Sequence, residues 1–85
     1  MEAIQRDGTK LFIGDEVVVK PGFHKNCEGR TFVVCEINPY PHCESGTMVV
    51  VHLKGSPERK IVGFKKEWHD LGPDGLDANW FFKIL

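Results

Sequence analysis

Along most of the chain, apolar and polar residues alternate with a period of two, and no segment carries an apolar stripe at helical spacing. The pattern predicts short strands punctuated by glycine, proline, asparagine and aspartate turns. Residues 1–10 read as a polar lead ending in the turn pair Asp7-Gly8. Leu11-Phe12-Ile13 then runs into Gly14-Asp15, and residues 16–20 form a first strand that Pro21-Gly22 stops. A polar loop over 23–29 precedes a second strand over 30–37. Asn38-Pro39-Tyr40-Pro41 and Ser45-Gly46 bracket the next connection. Residues 47–53 are the clearest strand, with Val49, Val51 and Leu53 on one face and Met48, Val50 and His52 on the other. Gly55-Ser56-Pro57 turns the chain into a hairpin partner over 59–64. A Gly/Asp/Pro-rich loop over 68–79, holding a short 3₁₀ turn near Asp77-Ala78-Asn79, leads to a last strand over 80–85.

Five short strands with turns between them predict a single all-β domain, a small barrel or orthogonal sandwich over residues 11–85. Closing the sheet on itself removes the open strand edges that template aggregation. Phe32, Phe81 and Ile84 are the expected core, together with Trp80, and Cys35 reads as a small mid-strand core residue. The chain has 85 residues, room for one small core and no second domain.

Composition narrows the function more than the fold. Hydrophobic residues make up 41% and charged residues 27%, which excludes a disordered polar chain. No apolar run is long enough to span a bilayer, and residues 1–7 lack the apolar stretch of a signal peptide, so a cytoplasmic protein with no membrane partner is expected. Three cysteines, an odd number, fit reduced thiols in that compartment better than a disulfide framework. Net charge is −1, unlike domains that hold nucleic acid mainly by neutralising phosphates. The charge is nonetheless segregated: Lys54, Arg59, Lys60, Lys65 and Lys66 accompany the single acid Glu58, and the following stretch carries Glu67, Asp70, Asp74 and Asp77 with no Lys or Arg. Such blocks salt-bridge and solvate each other, or offer a basic patch for docking.

Gly14-Asp15-Glu16-Val17-Val18-Val19, then Gly22-Phe23-His24-Lys25-Asn26, Glu28-Gly29, Val33-Val34 and Ile37 resemble a KOW motif. That motif is found in ribosomal large-subunit proteins and transcription elongation factors, on an SH3-like barrel. The resemblance covers about residues 11–38 and implies an all-β, five-stranded SH3-like barrel with a KOW-like N-terminal half. Where that family commonly has a small residue or lysine in the loop, this chain has Phe23, Asn26 and Cys27, which weakens any transfer of ribosomal RNA binding. Asn79-Trp80-Phe81 after a long loop is similar to the ending of the small photosystem I stromal subunit and its relatives. A plasmid-borne dihydrofolate reductase also uses SH3-like subunits, but its Val-Gln-Ile-Tyr run is absent here and its chemistry is not carried over.

Candidate chemistry is sparse. His24 and Cys27 are spaced H-x₂-C, and with His42-Cys43 they supply four ligand types that zinc accepts. Paired C-x₂-C knuckles are missing, and adjacent His42 and Cys43 would chelate awkwardly, so incidental loop residues are the expectation and no metal or cofactor is implied. No phosphate-cradling glycine loop leads into a helix, and no carboxylate pair sits on a rigid element, so no enzyme activity is expected. The expected function is a non-catalytic binding module that docks on a protein or ribonucleoprotein partner through its loops. Phe23 at a loop tip, Tyr40 between prolines and Trp68 are the candidate anchors; Trp68 alternatively covers a barrel end. The alternative is direct RNA or DNA binding, with Lys20, His24, Lys25 and Arg30 on one loop–strand edge and Lys60, Lys65 and Lys66 across the hairpin. A metal-stapled or enzymatic barrel is a third reading.

Overall fold

The computed structural model describes residues 2–22, 29–61 and 75–84. Among them the regular structure is antiparallel β, apart from one 3₁₀ turn. The strands are β1 (Glu2–Ile4), β2 (Lys10–Phe12), β3 (Glu16–Val19), β4 (Thr31–Pro39), β5 (Thr47–Leu53), β6 (Ser56–Ile61), β7 (Leu76–Asp77) and β8 (Phe81–Lys83). The 3₁₀ turn, Ala78–Trp80, joins the last two. No described helix is long and apolar enough to cross a membrane.

β1 and β2 form a hairpin of their own, so the polar lead carries a strand. The larger sheet has the order β6-β5-β4-β3-β8, with β7 added to β5. β3 to β6 follow one another as a meander, and β8 returns to the free edge of β3. β7 pairs with Met48 and Val49, on the same edge of β5 that β6 occupies further along. From Asp77 to Phe81 the chain spans at most roughly 14 Å, whereas four strand spacings in a flat sheet separate those positions by roughly 19 Å. The sheet is therefore curled, although no ring of hydrogen-bonded ladders closes among the described residues.

Alternation explains which side chains fill the curl. Val17 and Val19 of β3, Phe32 and Val34 of β4, Val49 and Val51 of β5, and Phe81 of β8 all point inward. Ala3 and Leu11 of the hairpin, Ile37, Leu76 and Ala78 complete a single cluster, against which Leu53 and Trp80 pack. In β4 strict alternation would put Glu36 in this core. A register shift between Val34 and Glu36 prevents that: Val34 faces Val51, Glu36 faces Val50, and Cys35 is the extra residue of a bulge. Glu36 stays exposed and Ile37 is restored to the inner face.

Four local expectations are corrected. Ile84 is 40% exposed, because it lies two residues beyond Phe82 on the outer face of β8. Cys35 belongs to the bulge and is half-buried outside the core cluster; its thiol donates to the Val50 carbonyl at 3.3 Å. The hairpin after β5 turns on Lys54-Gly55, with Gly55 at φ +85° and Leu53 facing Ser56, so β6 begins before Pro57. Proline is tolerated there because β6 is an edge strand of the described sheet. Finally, Leu76 and Asp77 form a strand inside the stretch expected to be loop.

A candidate docking cleft around Trp80

The 3₁₀ turn is held from both ends of the chain. Asp77 caps it: one carboxylate oxygen accepts the Asn79 N–H at 2.8 Å and the other accepts the Ser45 N–H at 3.1 Å. The Ser45 hydroxyl accepts the Ala78 N–H at 3.2 Å. On the other side Gln5, buried in the β1–β2 turn, donates its side-chain amide to two carbonyls, Ala78 at 2.8 Å and Phe81 at 2.6 Å. The Arg6 N–H donates to the Asn79 side-chain oxygen at 2.7 Å.

These bonds fix a cleft of about 270 Å³ lined by Gln5, Arg6, Asp7, Lys20, Glu44, Asn79 and Trp80. Trp80 lies half-buried in it, its inner side packed on the core. Charge on the rim is balanced, with Arg6 ion-paired to Glu44 and Asn79 donating to the same carboxylate at 3.5 Å. The Lys20 ammonium sits 5.0 Å from the centre of the Phe82 ring, and the Lys20 N–H donates to the Trp80 carbonyl at 2.8 Å. Asp7 titrates below the ordinary carboxylate value, first because it accepts hydrogen bonds from Thr9 and further because Lys20 is nearby. The arrangement is a half-buried indole inside a rim of balanced charge.

Of the anchors expected from sequence, only Tyr40 falls among the described residues; Phe23 and Trp68 lie outside them. Tyr40 is half-buried and meets His42 edge-on, ring centres 5.5 Å apart, in the β4–β5 loop that also supplies Glu44 to the cleft. Of the basic candidates, Lys20 directly follows β3 and Arg30 directly precedes β4, its paired neighbour in the sheet. Lys60 lies on β6, three strands away from β3 in the sheet order. His24, Lys25, Lys65 and Lys66 lie outside the described residues.

The same holds for Cys27, while the Cys43 thiol donates to the Tyr40 carbonyl at 3.2 Å. Among the described residues no three His, Cys, Asp or Glu side chains come together to hold a metal ion. Gln5, Arg6, Asp7, Glu44 and Asn79 carry no local sequence signal for this cleft, because the bonds joining the two ends cross more than seventy residues. Only the short 3₁₀ turn near Asp77-Ala78-Asn79 is legible in the sequence.

The antiparallel sheets place the chain in the class of small all-β proteins. Compared with protein-family models, curated proteins and solved structures, it matches none of them.

Proposed function

We propose that this protein is a non-catalytic binding module on an SH3-like, KOW-like barrel, docking on a protein or ribonucleoprotein partner through the loops around Trp80. The barrel reading is supported by the four-strand meander β3–β6 and by β8 returning to β3 after a 3₁₀ turn. The observation that carries the function is the half-buried Trp80 in a cleft whose rim comes from four separate segments of the chain. With Arg6 and Lys20 balanced by Glu44 and Asp7, that rim offers no net positive charge to a phosphate backbone, which favours a protein surface over nucleic acid.

A photo-crosslinking side chain introduced at Arg6 is expected to capture a discrete protein, whereas the same group at Glu58 on β6 captures none. Affinity for the captured protein, once purified, is expected to fall about tenfold or more in Glu44→Arg. Equal capture from both positions would overturn the reading. So would salt-sensitive micromolar binding of an RNA or DNA oligomer that competes with the captured protein, which would promote the nucleic-acid alternative based on Lys20 and Arg30.

A further inference from the structure

The first hairpin is a layer on the core, and its two faces differ. Ala3 of β1 and Leu11 of β2 face each other on the inner side and are fully buried, with β1 lying against β5 and β2 against β4. Cross-strand partners share a face and side chains alternate along a strand. Glu2 opposite Phe12 and Ile4 opposite Lys10 therefore stand together on the outer side. Ile4 is 49% and Phe12 44% exposed, and Ile13, the next residue in the chain, is 59% exposed.

The charges around this face balance. Lys10 pairs with Glu2 at 3.8 Å on the face itself. Beside it, the Lys83 ammonium lies 5.3 Å from the centre of the Phe12 ring and pairs at 3.2 Å with Asp15, whose carboxylate also accepts the Phe12 N–H at 2.8 Å. In the adjoining turn Arg6 is ion-paired to Glu44, and Asp7 lies near Lys20. With no surplus of cations, the face holds no attraction for a phosphate backbone or an anionic lipid surface.

The placing of the four outer residues selects a different occupant. Strand spacing and alternation put them at the corners of a rectangle of roughly 5 by 7 Å, with Ile4 and Phe12 on one diagonal and Glu2 and Lys10 on the other. A two-fold axis along the apolar diagonal sets Ile4 on Ile4 and Phe12 on Phe12 of a second copy. The same rotation carries the Glu2 corner to roughly 3 Å from the other copy's Lys10 corner, and symmetry repeats that contact. The pattern is its own complement in shape and in charge.

We propose that the outer face of the β1–β2 hairpin is a self-association surface that pairs two copies of this chain about that axis. Glu2 of each copy meets Lys10 of the other. At 3.8 Å the Glu2–Lys10 contact within one chain is longer than a hydrogen bond, so exchanging it for the one across the axis gives up little. A handful of side chains falls well short of the roughly 20–30 residues a side of a stable complex, so the dimer is weak and reversible. The proposal does not depend on the Trp80 cleft or on what docks there.

The test is sedimentation velocity of the full chain from about 10 µM to about 1 mM, a range that spans weak dimers, with ¹⁵N amide spectra at the same concentrations. The average mass is expected to climb toward that of a dimer, with concentration-dependent shifts at Ile4, Lys10 and Phe12. Glu2→Lys and Lys10→Glu, checked for an unchanged thermal melt, are each expected to weaken dimerisation about tenfold or more, since each sets like charges together at both contacts. Mixed in equal amounts the two variants are expected to pair again, because two lysines of one copy then face two glutamates of the other. Phe82→Ser, on the outer face of β8, is expected to leave the association unchanged. A chain that stays monomeric at the highest concentration overturns the proposal, as does a mixture of the two variants that fails to pair. Loss of association in Phe82→Ser would move the contact to β8 and overturn it too. So would shifts at the three amides produced in the dilute chain by an oligothymidylate or by lipid vesicles.

Discussion

Two side chains in the first turn illustrate how single residues act in this protein. Asp7 is fully exposed, yet its carboxylate is held below the ordinary value by hydrogen bonds from Thr9 and, secondarily, by Lys20. A carboxyl whose folded pKa is depressed contributes stability that is present above its unfolded value and is lost as pH falls through the folded one. An NMR titration is therefore expected to place the Asp7 carboxyl below 3.8. Lys20→Met is expected to recover only part of the depression, since Thr9 is the larger cause; full recovery would contradict the ordering. Gln5 works by a different route. Its amide satisfies two carbonyls at once, so Gln5→Leu keeps much of the volume but strands both acceptors. Leaving buried acceptors unpaired costs about 2–4 kcal/mol for the two together, a loss that urea unfolding would register. A loss under about 0.5 kcal/mol, the size of an ordinary surface substitution, would mean water replaces the amide there.

Cys35 is a third case, where burial pushes the thiol up and Lys60 opposes that only in part. In a Cys27→Ser, Cys43→Ser background, Cys35 is expected to react with iodoacetamide at pH 8 more slowly than free cysteine, since the thiolate is the nucleophile. Reaction as fast as the free amino acid would show that the bulge opens.

At the scale of elements, the strands that were legible in sequence are those long enough to alternate. β5 occupies the stretch 47–53 expected for it, and β3 and β4 differ from expectation only at their ends. β1, β2 and β7 are two or three residues long, below the length at which a period of two can be told from chance. β7 exists because of a backbone fit rather than a side-chain pattern. Gly75 precedes it at φ +124°, and a Cβ there would stand 2.8 Å from the Val49 carbonyl oxygen. Alanine at Gly75 must therefore displace the backbone of β5 as well as adopt a strained dihedral. Gly75→Ala is expected to cost about 2–3 kcal/mol, at the upper end for such sites, and to loosen the β5–β7 pairing in amide exchange. Gly8→Ala has the same sign of φ but open space around it, so a smaller loss is expected. Equal losses at the two positions would assign the Gly75 effect to its dihedral alone. The cleft was illegible for a related reason: Trp80 stood out as an aromatic, but its neighbours Gln5 and Arg6 are ordinary polar residues until the fold brings the two ends together.

For the molecule as a whole, the meeting of the two ends makes the first hairpin part of the structural unit. Ala3 and Leu11 are fully buried in the same cluster as Phe81, and Gln5 covers carbonyls on the last turn. β8 is an edge of the larger sheet, and the hairpin is fastened beside it: the Lys83 ammonium donates to the Lys10 carbonyl at 2.9 Å and pairs with Asp15 at 3.2 Å. An edge strand left bare is a template for pairing with other chains. Removing residues 1–9 therefore takes Ala3 from the core, strands two carbonyls and leaves β2 without its partner strand in one step. A domain of this size has a net stability on the order of 5 kcal/mol, comparable to the sum of those losses. The truncated chain is expected to lose its cooperative thermal transition and its dispersed amide spectrum, and to elute from a sizing column as soluble aggregate. Were the hairpin a mere polar lead, truncation would leave a monomer with a cooperative melt close to that of the full chain. That outcome would also detach Gln5, Arg6 and Asp7 from the cleft, because a partner would then still bind the shortened protein through Lys20, Glu44 and Trp80 alone.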